Sequence, residues 1–558
     1  MFTRIPRTGI IIIAIILALF ILVPLSPAHK SLRKVVEKTR EGWIWSRPED
    51  EDMKQWEYRR ALVYEGTGER IRSFFDKAKK RRPFTVSVIG GSVSKGRGLT
   101  PPSHLTSHSI RQAAEEASEP FTPPLGANTL YSPENMHVLI FDWLNFTFPH
   151  PGNRLINGAQ GGVGAGYFGW CFKEHIPDDS DLVLLELGIN DLLDLDIIES
   201  YEHLIRSILQ SESRPAIINI ETLTLLFPTL LQSSSLHQDV LSYYDIPSLS
   251  IRDVLLPRIN EAPDEELPKW FRTGSDVHLG DSKVREWGGI PVDLMHISAL
   301  GHALAASLVI RYLTGQMHPS SNWTPFRTII PQKSSAVSRI SDIPMTSLTS
   351  PFDPLSSPPI RQPHCRSLNS AKLHKPVVNG IADPTLPRVP GVQPSSSTHG
   401  WELWAWEEKH YYVARTPGAK LTVDFIVPHP MLALPPPSPH IPTESQSSGQ
   451  YQEDELGLPD IIERDTPELH YIGGGVGIAY QRSAILGLGS VRCWIDDDEE
   501  NQEVVDGWWS IEERNMGMVT QIADGLEPGH HSLSCELLQH TLDPGGGHEF
   551  RLFAIMYD

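Results

Sequence analysis

The chain has 558 residues, 40% of them hydrophobic, enough for two or three domains each with its own core. A formal net charge of −20 argues against a nucleic-acid partner, because binding phosphates needs a basic surface, and it disfavours acidic substrates. Four cysteines are too few for a disulfide framework. Of these, Cys493 and Cys535 are expected to pair, Cys365 falls in a linker, and Cys171 has no partnered base and is not read as a nucleophile.

Arg4 and Arg7 precede an apolar run from Gly9 to Val23, and Ser26-Pro27-Ala28 follows with the small-x-small pattern of a cleavage site. The run is at the short end of the roughly 17 to 25 residues that span a bilayer. Segment 1–28 is therefore expected to be a signal anchor or a signal peptide. Either reading enters the secretory pathway. The protein is then a single-pass membrane protein with a lumenal body, in the Golgi or at the cell surface, or it is secreted after cleavage at Ala28. Asn145-Phe146-Thr147 and Asn322-Trp323-Thr324 are glycosylation sequons consistent with a lumenal body.

Residues 29–82 read as a stem and a lead-in helix, helical around Glu69 to Lys80. A Val/Ile-rich strand then ends in Gly90-Gly91-Ser92, where the glycines allow a sharp turn at the strand's carboxyl end. An irregular stretch from Gly96 to Pro133 follows, with a short helix expected at Ile110 to Glu116. Met136 to Phe148 reads as a helix and Arg154 to Gly158 as a second strand tip, leading into a glycine-dense run to Gly166. Asp181 to Leu187 is an apolar strand ending in Gly188-Ile189-Asn190-Asp191. A helix from Ile197 to Gln210, a strand from Pro215 to Glu221 and a final helix from Ser298 to Leu313 complete the pattern. Strands alternating with helices indicate a parallel sheet covered on both faces. Open sheets of this kind place their chemistry in the crevice above the strand tips.

Four blocks fall at such tips in order: Gly90-Gly91-Ser92, Asn157 to Gly162, Gly188-Ile189-Asn190-Asp191 and Asp293-Leu294-Met295-His296. Over about Phe84 to Gly315 this pattern resembles the SGNH (GDSL-type) hydrolase superfamily. The resemblance implies a three-layer α/β/α domain, here 83–318, with Ser92, His296 and Asp293 as triad. It also implies an oxyanion hole from the backbone N–H groups of Ser92 and Gly162 and the side-chain amide of Asn190, with Gly161 as the alternative to Gly162. The chemistry needs these types: a serine hydroxyl requires an imidazole to take its proton, and the imidazole requires a carboxylate to fix its tautomer. The family's Gly-Asp-Ser is Gly-Gly-Ser here. The missing aspartate is not a triad member, but the elbow loses its hydrogen bonds. His278, His302, Asp191 and Asp281 match no family position and are read as surface or supporting residues. No cluster has metal-ligand spacing, and neither metal nor cofactor is expected.

Residues 319–399 are rich in Ser and Pro and read as a flexible linker. From 400 to 558 short alternating runs, such as Lys420 to Val427, Ser490 to Ile495 and Phe550 to Ala554, indicate a C-terminal β-sandwich domain, interrupted by a disordered insertion at 428–466. Its tryptophans, among them Trp401, Trp404, Trp406, Trp494, Trp508 and Trp509, have two available roles, stacking on sugars (Trp401, Trp404, Trp508 and Trp509 being the candidates) or packing the sandwich. The two-module layout more loosely resembles fungal secretory-pathway proteins associated with capsule or cell-wall polysaccharide. The expected activity is a serine esterase removing O-acetyl groups from a glycan, with the acylated glycan and the membrane as partners. The alternatives are an O-acyltransferase with the same triad and a non-catalytic glycan-binding scaffold. On this reading the sandwich acts as a tether that raises the local concentration of ester groups.

Overall fold

The computed structural model describes residues 55–99, 131–317, 343–351, 363–370, 377–378, 381–382, 391–429 and 474–558, apart from positions 275, 345, 407, 408 and 513. The expected N-terminal anchor, the helix at 110–116, Asn322 and most of the 428–466 insertion lie outside the described residues.

The first part of the chain is an α/β domain. Its central sheet uses β1 (Leu62–Tyr64), β2 (Thr85–Gly90), β3 (Arg154–Asn157), β4 (Leu182–Glu186), β5 (Ala216–Glu221) and β6 (Ser248–Ser250), in the spatial order β1-β6-β5-β4-β2-β3. All pairs are parallel except β1 with β6. Parallel strands buried on both faces read as continuous apolar runs, and every residue of β2, β4 and β5 is buried. In β4, Leu182 and Leu184 point into one core, with α2 (Glu69–Lys79), α3 (Met136–Thr147) and later α9 (Ala299–Met317). Val183 and Leu185 point into the other, with α4 (Ala165–Cys171), α5 (Leu195–Leu209) and α6 (Ser234–Tyr243). This is the three-layer α/β/α arrangement. Strand order reverses between β2 and β4, so the crevice above these two tips is the natural place for a site.

Two stretches differ from their sequence reading. The stem assigned to 29–82 is part of the domain from Gln55 onward: α1 (Gln55–Ala61) leads into β1, which closes the sheet edge, and Phe74 and Phe75 of α2 are core residues. After α7 (Arg252–Glu261) and α8 (Pro263–Trp270), the chain forms a three-stranded antiparallel sheet of β7 (Phe271–Arg272), β8 (Val284–Trp287) and β9 (Ile290–Ile297) in the order β7-β9-β8. The Asp293-x-x-His296 block, expected at a tip of the parallel sheet, therefore lies within β9 of a separate sheet, from which the chain runs into α9.

The stretch assigned as a linker is anchored wherever it is described. Leu348 and Thr349 donate their N–H groups to the Glu202 carboxylate at 2.8 and 2.9 Å. β10 (His364–Ser367) pairs with the C-terminal strand, and Cys365 in it is bonded to Cys171 at the end of α4. A small β11 (Val377–Val378) and β12 (Ile381–Ala382) hairpin follows. The last domain is a sandwich of β13 (Trp401–Trp406), β14 (Lys409–Ala414), β15 (Lys420–Val427), β16 (Val476–Arg482), β17 (Ser490–Ile495), β18 (Glu503–Asp506), β19 (Met516–Ala523), β20 (Gly529–Leu537) and β21 (Phe550–Tyr557). One sheet runs β13-β14-β21-β16-β19 with β10 added to β21, and the other β15-β20-β17-β18. Cys493 and Cys535 are cross-strand partners joined by a disulfide.

The two domains share a core. Tyr411, Val413, Ala479, Phe553 and Met556 of the sandwich pack in the same cluster as Val163, Tyr167, Phe168 and Tyr201 of the α/β domain. The Phe553 ring lies 5.7 Å from Tyr167 across the boundary and 5.9 Å from Tyr411. This replaces the picture of a freely tethered module, because separating the domains would expose a continuous apolar face to water. Truncating a large buried aromatic costs about 3 to 5 kcal/mol. Phe553→Ala is expected to lose that much, and the wild-type chain to unfold in one transition. Urea curves followed by tryptophan fluorescence and far-UV circular dichroism check this; two separated transitions would contradict a shared core.

Candidate active site

The turn after β2 brings Ser92 above the sheet, with the Gly91 N–H donating to the Glu186 carbonyl at 3.2 Å and the Arg97 N–H to the Ser92 carbonyl at 3.0 Å. Ser92 Oγ is 3.0 Å from Nε2 of His296. On the other side of the ring, Nδ1 of His296 is 2.8 Å from Oδ2 of Asp293. An acid-base imidazole between a hydroxyl and a carboxylate is the arrangement that lets serine act as a nucleophile. β9 positions both partners: Asp293 pairs with Arg272 of β7 and Val284 of β8, and its Oδ1 accepts the Met295 N–H at 2.9 Å. Arg272 also brings a guanidinium nitrogen to 3.5 Å from Oδ2 of Asp293 while pairing with Asp276.

Burial would raise the Asp293 pKa, but the hydrogen bond and charge of His296, the Met295 N–H and Lys283 outweigh it and bring it down to about 2. Asp293 is thus ionised at any working pH. Burial pushes His296 below its ordinary value; Asp293 opposes this, and Arg97 and Lys283 add to the lowering. The imidazole is therefore neutral near neutral pH and free to accept the Ser92 proton.

The three expected oxyanion donors lie on separate loops. Among the described residues, the N–H groups of Ser92 and Gly162 have no acceptor. Gly162 has φ +74°, a left-handed conformation that favours glycine, and its carbonyl accepts the Gly517 N–H at 2.6 Å. The alternative, Gly161, faces Ser92, since a Cβ built on it would lie 3.5 Å from the Ser92 Cβ. Asn190 donates an amide hydrogen to the Val163 carbonyl at 2.6 Å, and its amide carries a second. A Cβ built on Gly91 would lie 2.2 Å from Nδ2 of Asn190. The Gly-Gly-Ser departure therefore makes room for the Asn190 amide and leaves the triad intact.

Several supporting residues carry no family signature. Asp191, far from being on the surface, is buried: Oδ1 accepts the Ala165 N–H at 2.6 Å and Oδ2 lies 3.0 Å from His237, whose ring stacks on Tyr201. It ties the Gly162 loop to the Asn190 loop. Arg514 of the sandwich donates to the Asn190 and Asp191 carbonyls at 3.4 and 3.1 Å, with Phe227 under its guanidinium. Glu186, ending β4, is fully buried, and burial pushes its carboxyl up to about 7 against the hydrogen bonds from Thr222, Ser94 and Gly91. His302 is also buried, which with the nearby His296 lowers its pKa to about 3, whereas His278 and Asp281 are exposed. Among the described residues no group of three or more His, Cys, Asp or Glu could hold a metal ion.

The remaining candidates are distributed more widely. Trp509 is buried and donates its indole N–H to the Arg514 carbonyl at 3.0 Å, so it supports the loop that reaches Asn190 and is not available for stacking on sugar. Trp401 is half-buried against Phe550, and Trp508 is half-buried with its carbonyl accepting from Arg482. Trp404 packs at the margin of the shared core, and Trp406 is 38% exposed. Asn145 is half-buried on α3 and accepts from the Asn153 amide at 2.9 Å.

No family model matches the chain, and no curated protein sequence matches it. Similar solved structures include a two-domain esterase active on acetylated mannans, co-crystallised with mannopentaose (16% identity, 90% of this chain and 97% of that one, TM-score 0.49). A second structure of a two-domain esterase active on acetylated mannans gives 15%, 90%, 98% and 0.49. A family 2 carbohydrate esterase with a carbohydrate-binding domain, from Myceliophthora fergusii, gives 14%, 42%, 67% and 0.26. At these identities and TM-scores the likeness carries no chemistry over to this chain, which rests on its own strand order and contacts.

Two outcomes follow from this geometry. Catalysis needs neutral His296, whose pKa is lowered, so kcat/KM for an ester is expected to fall only as pH drops through a midpoint below 6.5. A pH profile with its acidic midpoint above 7 would contradict the assignment. Asn190→Ala removes an expected oxyanion donor and is expected to lower kcat by about 10² to 10³, read by steady-state kinetics on a chromogenic acetate.

Proposed function

We propose that the protein is a serine ester hydrolase that removes O-acetyl groups from a glycan in the secretory pathway. The observation that carries the hydrolase reading is the unbroken Ser92–His296–Asp293 hydrogen-bond chain. In this reaction Ser92 Oγ attacks the ester carbonyl carbon while Nε2 of His296 takes the hydroxyl proton. The resulting oxyanion is held by the N–H groups of Ser92 and Gly162 and the Asn190 amide. As the carbon–oxygen bond to the sugar breaks, His296 returns the proton to the departing sugar oxygen. Water, deprotonated by His296, then cleaves the acetyl-Ser92 ester, releasing acetate and regenerating the serine.

The glycan reading is supported by the edge of the sandwich. Trp404 is the cross-strand partner of Tyr411, and Trp406 that of Lys409. A Cβ placed on Gly162 would come within 3.2 Å of the Lys409 ammonium nitrogen, so the strand pair that carries the exposed Trp406 begins beside this glycine. Aromatic faces flanking a site suit a sugar ring. For the compartment, the Cys171–Cys365 and Cys493–Cys535 disulfides support an oxidising environment, as does the N-terminal apolar run.

Purified full-length protein is expected to release acetate from an O-acetylated polysaccharide and from 4-nitrophenyl acetate, and Ser92→Ala to lose both activities. Undiminished turnover by Ser92→Ala would overturn the reading. Trp406→Ala is expected to lower acetate release from the polymer by about 10-fold while leaving the small ester within about twofold, since a stacked aromatic contributes on the order of 1 kcal/mol or more only to a substrate that reaches it. Equal rates on the polymer would remove Trp406 from the glycan assignment.

A further inference from the structure

The strand tips hold a buried carboxylate that the reaction does not use. Glu186 ends β4, directly below the turn that carries Ser92, and its side chain is enclosed by three donors. Oε2 accepts the Ser94 hydroxyl at 3.0 Å and the Ser94 N–H at 3.3 Å, and Oε1 accepts the Thr222 hydroxyl at 2.7 Å. Its own carbonyl accepts the Gly91 N–H at 3.2 Å. Both residues flanking the Ser92–Val93 step are therefore bound to one residue of the neighbouring strand. Ser94 is fixed from the other side as well, because its carbonyl accepts the side-chain amides of Asn135 and Asn157, each at 3.0 Å.

The second carboxylate oxygen leads to the other half of the triad. Thr222 begins the loop after β5, and two residues on, the Thr224 hydroxyl and the Leu225 N–H both donate to the Leu294 carbonyl at 3.0 Å. Leu294 lies between Asp293 and Met295, two residues before His296. One buried carboxylate thus joins the turn that holds the nucleophile to the loop that holds the base-bearing strand. Ser92 and His296 come from segments 204 residues apart, and their 3.0 Å contact depends on those two segments keeping one relative position.

We infer that Glu186 is a positioning residue that sets the Ser92 hydroxyl against His296 by clamping Ser94 and Thr222 to the same carboxylate. The Ser94 N–H can only donate and both hydroxyls donate here, so a carboxylate accepts all three contacts at once. A glutamine of the same shape would turn an N–H₂ toward at least one of them.

The inference rests on the hydrolase reading, and the test separates the two. Steady-state kinetics on 4-nitrophenyl acetate are measured for full-length wild type, Glu186→Gln, Ser94→Ala and Thr222→Val, with thermal unfolding as the check of fold. Misplacement of reacting groups by about an ångström costs on the order of 10²-fold. Glu186→Gln is expected to lower kcat by about 10- to 100-fold with KM within about twofold, while Ser94→Ala and Thr222→Val lower kcat by smaller factors, again without a KM change. The Ser94→Ala loss should shrink in the Glu186→Gln background, because both act through one clamp. A folded Glu186→Gln variant with wild-type kcat overturns the inference and leaves the hydrolase reading standing. Should Glu186→Gln fail to fold, wild-type kcat in both Ser94→Ala and Thr222→Val overturns it equally. A wild-type protein with no Ser92-dependent turnover overturns the hydrolase reading and this inference with it.

Discussion

The proposed chemistry depends on keeping one imidazole neutral and aimed at one hydroxyl. His296 lies wholly inside the protein, where charge is expensive, and Asp293 beside it is ionised. The carboxylate holds the ring by Nδ1, which leaves Nε2 as the acceptor facing Ser92. Each partner is in turn held by backbone: Asp293 by β7 and β8 on either side of β9, and Ser92 by a turn bound to the end of β4. The strand-order reversal between β2 and β4 opens the crevice, and the antiparallel β7-β9-β8 unit delivers the base to it.

The sandwich belongs to this machinery mechanically. β21 is buried along its whole length, because one side of its sheet faces the sandwich core and the other faces the α/β domain. The Gly162 carbonyl is bonded to Gly517 and the Asn190 and Asp191 carbonyls to Arg514. The Gly162 and Asn190 loops therefore take their position partly from the second domain. The Cys171–Cys365 disulfide ties α4, which follows the Gly162 loop, to the strand that extends the same sheet.

Much of this was legible in the sequence where the signal is local. Ser92 and Asn190 follow short apolar strands, and the glycines beside them mark turns, so residue type and position agree with the observed tips, whereas His296 lies within β9 of the separate antiparallel sheet. The pairing of Cys493 with Cys535 was also readable, since both lie in strands of one sandwich. Cys171 with Cys365 was not: its halves are 194 residues apart, and one sits in a Ser/Pro-rich stretch whose composition hides a four-residue strand. β7, two residues long, has no periodicity to read. Glu186 did leave a trace, a single acid closing the wholly apolar run Leu182-Val183-Leu184-Leu185, and a buried charge demands partners. The shared core left one too, in the run Phe550–Tyr557, apolar except for Arg551, which a sandwich with one solvated face does not need.

The central claim is that Ser92 is a nucleophile because His296 activates it. Full-length protein and the His296→Ala variant should be treated with a fluorophosphonate probe at neutral pH and the modified peptides identified by mass spectrometry. The account predicts a single adduct on Ser92 in the wild type and labelling slowed by at least about 10³-fold in His296→Ala, as expected when the base of such a unit is removed. An adduct on another residue, or equal labelling of Ser92 in both proteins, would contradict it.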